Sequence, residues 1–213
     1  MTVINRRTIL QGAVAGDVTD AVIQLENGNW GMMSRPVLAA YQQMVAKVNR
    51  DSSFYARRGM GADMAAVQDR LAGFLGVERD EIVLTRNATE ALKALIGGYN
   101  RIRPGQAALY ADLDYDSMQA SLESAMTRRG ARTIRIALPE PATWQNVIDA
   151  YAQAFEAHPE IKLVLLTHIS HRTGLKIPVR EIAALARERG IDVIVDAAHS
   201  LGQVDFEIAG LGA

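Results

Sequence analysis

From residue 82 onward, apolar and polar positions follow two alternating rhythms. Short apolar runs at 82–85, 107–111, 133–137, 163–167 and 191–196 predict five strands. Between them, longer segments with apolar positions three or four apart predict helices at about 88–99, 117–129, 144–158 and 179–189. Strands that alternate with helices in this way predict an α/β fold, a mostly parallel sheet with helices on both faces. The last apolar run, Ile191, Val193, Ile194 and Val195, leads straight into Asp196. An acid at the carboxyl end of a parallel strand lies where open α/β sheets bind their ligands.

Ahead of residue 82 the rhythm is helical. Pro36 suits the first turn of a helix, and Val37, Tyr41, Met44, Val45 and Val48 then fall on one face. Asp51-Ser52-Ser53 predicts a break, followed by a loop at 54–61 that carries Arg57 and Arg58. A second helix is expected with Met64, Val67, Leu71, Phe74 and Leu75 on its buried side, and Gly76 as its C-cap. Residues 23–29 read as a short extended piece ending in turn chemistry. The expected organisation is an N-terminal arm over 1–20, a helical segment over 21–80, and an α/β domain over 81–213.

Composition narrows the classes. Net charge is −1 and Lys and Arg are scattered through the 213 residues, which argues against nucleic acid as a main partner. The chain has no cysteine, so disulfides and thiolate metal sites are excluded from it. No apolar stretch approaches the roughly 18–20 residues of a membrane span. Asn5-Arg6-Arg7-Thr8-Ile9-Leu10 has the look of a twin-arginine signal, but the apolar part after it is short and interrupted by Gln11 and glycines. The expected location is the cytoplasm, with the periplasm as the alternative.

Four loops that follow strand ends carry candidate chemistry. Asn87-Ala88-Thr89-Glu90 opens a helix, where free N–H groups attract an anion; simple helix capping explains it equally well. Tyr115, in Asp114-Tyr115-Asp116-Ser117, is either a core wall or a stacking face for a flat ligand. His168 and His171 lack a third ligand at metal spacing, so no metal is expected, and their loop reads as hydrogen-bonding surface over a pocket. Asp196 is either a turn cap or a carboxylate that meets a cationic ring nitrogen. A phosphate cradle, an aromatic plate and an acid at one sheet edge together describe a pyridoxal-phosphate pocket.

With these residues in order, the sequence resembles the class V aminotransferases, fold-type I pyridoxal-phosphate enzymes that include cysteine desulfurases and isopenicillin N epimerase. Asn87-Ala88-Thr89-Glu90 is similar to the family's phosphate-binding turn, and Tyr115 stands where the family places a stacking ring. Ser170-His171-Arg172-Thr173-Gly174 resembles a loop that cysteine desulfurases write with asparagine at the place of His171. Asp196-Ala197-Ala198-His199 matches the signature in which Asp pairs with the pyridinium nitrogen and His bonds the ring hydroxyl. The resemblance implies Asp196, Tyr115 and His171 as catalytic residues. It implies Asn87, Ala88, Thr89, Tyr115, Asp196 and His199 around pyridoxal 5'-phosphate, and Asn29 and Arg58 toward an amino acid substrate. It further implies a homodimer in the complete protein. The resemblance also implies that the family's Schiff-base lysine falls beyond residue 213, after another strand; Lys47, Lys93, Lys162 and Lys176 do not match its place, so the large domain is expected to be incomplete at its C-terminus. The functional expectation is an enzyme acting at the α- or β-carbon of an amino acid, of epimerase, C–S lyase or aminotransferase type. The alternatives are a non-catalytic cofactor-binding or interaction remnant, and a phosphate-binding α/β domain of another kind.

Overall fold

The computed structural model describes residues 31–205 and 207–212. The twin-arginine stretch, the extended piece at 23–29 and Asn29 lie outside the described residues. The chain divides into two compact units, Met1–Arg70 and Leu71–Ala213.

In the first unit, α1 (Arg35–Arg58) begins at Ser34 with proline in its first turn, as the sequence predicts. The expected break at Asp51-Ser52-Ser53 is a kink, not an end. Ser52 leaves helical geometry at φ 34° and ψ −115°, and the helix resumes through the predicted loop to Arg58. Helix α2 (Met60–Leu75) follows at once. Asp63 joins the two helices, accepting from Lys47 Nζ and from the Tyr55 hydroxyl, each at 2.9 Å. The apolar face of α1, Val37, Tyr41, Met44, Val45 and Val48, is exposed, and so are Met64, Val67 and Phe74 of the stripe expected to be buried on α2. A helical pattern specifies which face is apolar but not what covers it.

The second unit opens as α2 ends at Gly76, whose φ of +70° is the left-handed conformation that glycine supplies at a helix terminus. The run 82–85 is not a strand. It follows a short 3₁₀ turn, Arg79–Glu81, and Val83 is 82% exposed. Four strands remain: β1 (Ala107–Ala111), β2 (Arg132–Ile136), β3 (Ile161–Thr167) and β4 (Asp192–Asp196). They pair in parallel in the order β2-β1-β3-β4. A strand needs a neighbour for its backbone groups, and 82–85 has no position in that order.

Helices α3 (Ala88–Gly98), α4 (Asp116–Arg128), α5 (Trp144–Ala157) and α6 (Val179–Glu188) alternate with the strands as expected. A short α7 (Ile208–Leu211) comes last. Side chains alternate across the sheet. Leu109, Val164 and Leu166 face α5 and α6, packing with Tyr151, Phe155 and Ile182. Ala108, Tyr110, Leu163 and Leu165 face α3 and α4, packing with Leu92, Ile96, Met118 and Leu122. The expected fold class therefore holds, a parallel sheet with helices on both faces.

Candidate active site

The carboxyl ends of β1, β3 and β4 are sheet neighbours. Each is followed by a loop carrying one of the singled-out rings: Tyr115, His171 and His199. The structure brings the three together. Tyr115 and His171 meet edge to face with ring centroids 5.1 Å apart, and His171 and His199 lie 6.5 Å apart, tilted by 30°. The row follows strand order.

Asp196 closes β4 beside this row. It is 5% exposed, and its Oδ1 accepts from the Ala198 N–H at 3.0 Å. Its carbonyl accepts from His168 N–H at 2.9 Å, tying the end of β4 to that of β3. Period-two alternation puts Asp192, Ile194 and Asp196 on the same face, the face on which Ile194 packs with α3 and α4.

The same alternation orients α3. At its carboxyl end, the Tyr99 hydroxyl donates to Asp192 Oδ2 at 2.9 Å, and burial, with this carboxylate, raises the phenol well above its ordinary pKa. At the opening turn of α3 the Asn87 side chain caps the helix, accepting from Glu90 N–H at 2.9 Å. Glu90 is in turn held by Arg86, through its backbone N–H and its guanidinium. The first-turn N–H groups of Ala88 and Thr89 have no intrahelical acceptor by construction.

Asp114, to which the sequence assigns no role, is 2% exposed. One of its oxygens accepts from Ala111 N–H at 2.7 Å and the other from Thr167 N–H at 2.9 Å, fastening the end of β1 to that of β3. Burial pushes this carboxyl up to about 6; the Thr167 side chain and the two N–H groups pull it down, and the charge of Asp196 pushes it up. Asp116, one residue past Tyr115, accepts from Arg172 Nη2 at 2.5 Å. Neither pairing has a local sequence signal, since the partners lie 53 and 56 residues apart.

Arg58 and His168 complete the list of candidates among the described residues. Arg58 ends α1 in the first unit. His168 is buried and lines a cleft with Trp144, Lys176 and Arg180 on the α5 and α6 side, where burial lowers its pKa. No cluster of metal-ligating side chains occurs among the described residues, and no described helix is long and apolar enough to cross a membrane.

A family model described as aminotransferase class-V matches residues 33–213. An L-cysteine desulfhydrase of Arabidopsis thaliana is 26% identical over 208 residues, covering 90% of this chain and 45% of that protein. Isopenicillin N epimerase of Amycolatopsis lactamdurans is 26% identical over 194 residues, covering 90% and 48%. Among solved structures, the cystine C–S lyase C-DES superposes with a TM-score of 0.79 at 22% identity, covering 86% of this chain and 49% of that one. The cysteine desulfurase CsdA of Escherichia coli gives 0.75 at 21% identity, covering 99% and 53%. These structural likenesses are of fold. The chain spans about half the length of the relatives it matches.

Proposed function

Because the chain belongs to the class V aminotransferase family, a family of pyridoxal-phosphate enzymes, we propose that residues 87–199 supply the cofactor-holding part of an enzyme acting at the α- or β-carbon of an amino acid. Cleavage of a carbon–sulfur bond is the leading reaction. It is supported by the names of the relatives, a cysteine desulfhydrase and a cystine C–S lyase among them. Epimerisation, supported by the isopenicillin N epimerase match, is the second reading.

The observation that carries the proposal is the row Tyr115–His171–His199 beside the nearly buried carboxylate of Asp196. A carboxylate withdrawn from water is costly unless a cation or several donors meet it, and its one bond named above is from the Ala198 N–H. A ring nitrogen that carries a proton is the complementary group. The donor set therefore fits pyridoxal phosphate. Asp196 would accept the ring N–H and keep that nitrogen protonated. His199 would hydrogen-bond the ring oxygen, and Tyr115, with His171 set edge to face against it, would wall the pocket. Ala88 and Thr89 would donate backbone N–H groups, and Thr89 its hydroxyl, to the phosphate; Asn87 would act by capping the turn that presents them. Bound there, the cofactor supplies an electron sink for the pair left at the α-carbon. Within the second unit, Lys93 lies on α3, Lys162 at the start of β3 and Lys176 by His168. None of the three is placed in the ring row, so the proposal assigns no lysine chemistry to them.

Thr89→Val tests the phosphate assignment in the full chain. Loss of the hydroxyl should weaken pyridoxal phosphate binding by roughly 1–3 kcal/mol, or about five- to 150-fold in Kd. Binding of pyridoxal should change much less. Equal losses for both ligands would reduce Thr89 to part of a helix cap.

A further inference from the structure

We infer that the exposed ion pair Asp116–Arg172 is a clamp that sets the position of the Tyr115–His171 wall. The inference rests on the proposed function only for what the wall is for; the clamp is a property of the ligand-free chain.

Two loops approach each other across the mouth of the row, and they meet at two consecutive pairs. Tyr115 touches His171, and the next residue on each side, Asp116 and Arg172, forms the ion pair. Both loops are rooted at their bases. On the β1 side, Asp114 is bonded to Ala111 N–H and Thr167 N–H, and its carbonyl accepts from Gln119 Nε2 at 2.6 Å. On the β3 side, Ser170 N–H donates to Leu175 O at 3.0 Å and Gly174 N–H to Ser170 O at 2.9 Å, while Ile169 and Lys176 form an isolated bridge. Met118 and Gln119 N–H donate to Tyr115 O, and Arg172 N–H to Ser170 Oγ, so the backbone is held at the contact as well. These bonds do not fix the side chains, where Tyr115 is 41% exposed and its ring retains rotamer freedom. The Asp116–Arg172 pair joins the two loops through side chains one residue from the ring contact.

Asp116 has a competing explanation. It is the first residue of α4, where a negative charge favours the helix dipole whatever Arg172 does. Exchanging the two charges separates the roles. Asp116→Arg combined with Arg172→Asp restores the pair but places a cation at the helix N-terminus. A clamp is rescued by the exchange, whereas a dipole partner is harmed by it.

The experiment follows the Tyr115–His171 ring contact by nuclear Overhauser effects in the ligand-free full chain. The set comprises the unsubstituted protein, Asp116→Ala, Arg172→Ala and the exchanged pair. The side chains are 66% and 45% exposed, so melting temperatures should stay close together and report folding. The contact should be lost in each single variant and regained in the exchanged pair. It should also weaken in the unsubstituted protein as salt rises to 1 M, where screening acts within about 3 Å. A contact that persists in both single variants, or an exchanged pair no better than the singles, overturns the clamp. Pyridoxal phosphate titration of the same set then reads its consequence, a Kd raised about three- to fivefold in the singles and restored by the exchange. If the ring contact follows the charges while Kd does not, the clamp stands and the assignment of Tyr115 to the cofactor fails.

Discussion

The two edges of the sheet are built differently. On β2, Arg132 and Arg135 are exposed, and Arg132 pairs with Glu160. Charged residues along an edge discourage further pairing. On β4, the three residues between Asp192 and Asp196 are Val193, Ile194 and Val195, all only half-buried. Chemistry gathers at the second edge. Asp196 and His199 belong to β4 and the loop after it, and Asp192 anchors the far end of α3 through Tyr99 and Arg101. The edge blunted by charge closes the sheet, while the edge left apolar carries the acid of the candidate site.

The largest test of this contrast uses two isoleucines in matching places. Ile134 on β2 pairs with Leu109, and Ile194 on β4 pairs with Leu165. Ile134 is buried at 8% exposure, so Ile134→Ala should cost about 2–5 kcal/mol in a urea unfolding experiment. Ile194→Ala should cost about half as much, since less apolar surface leaves water there on folding. Equal costs would mean that β4 is covered in solution.

The joint between β1 and β3 gives the next effect. Asp114 has its folded pKa raised to about 6 from an ordinary 3.8. Between those values the folded chain holds a proton that the unfolded chain has released, so this group's contribution to stability is full below about pH 4. It is lost as pH rises through about 6. The loss should reach roughly 3 kcal/mol. Asp114→Asn resembles the protonated form and should flatten the pH 4–6 slope; an unchanged slope would assign it to another group.

Smaller effects probe the anchoring of β4. Tyr99→Phe removes a hydrogen bond to the Asp192 carboxylate and should cost about 1.5–3 kcal/mol by urea unfolding. Arg101→Ala and Arg132→Ala break exposed pairs on the two edges and should each cost under about 1 kcal/mol. A larger loss for Arg132 would make charge at the β2 edge a stabilising feature as well as a blunting one.

Sequence patterns revealed the frame and part of the site. Strand and helix rhythm placed β1 to β4 and α3 to α6 within a residue or two, because each buries a regular stripe. The run 82–85 reads as a strand, but it has no neighbour in the described sheet and so forms none. Asp196 was legible because it ends an apolar run. The roles of Asp114 and of the Asp116–Arg172 pair were not, because burial and pairing there depend on a loop more than fifty residues away. Asn87 was legible as a cap or as part of an anion turn, and the structure shows the cap, with the Glu90 N–H donating to its side chain.

Whether this edge is a cofactor site is tested most directly by where pyridoxal phosphate lands. In a chemical-shift titration of the isotope-labelled full chain, the rings of Tyr115, His171 and His199 and the amides of Ala88, Thr89, Ala197 and Ala198 should move together, with one saturation curve. Asp196→Asn should weaken that curve. Shifts centred instead on the cleft of Trp144, His168 and Lys176, or no saturable shifts at the three rings, would contradict the assignment.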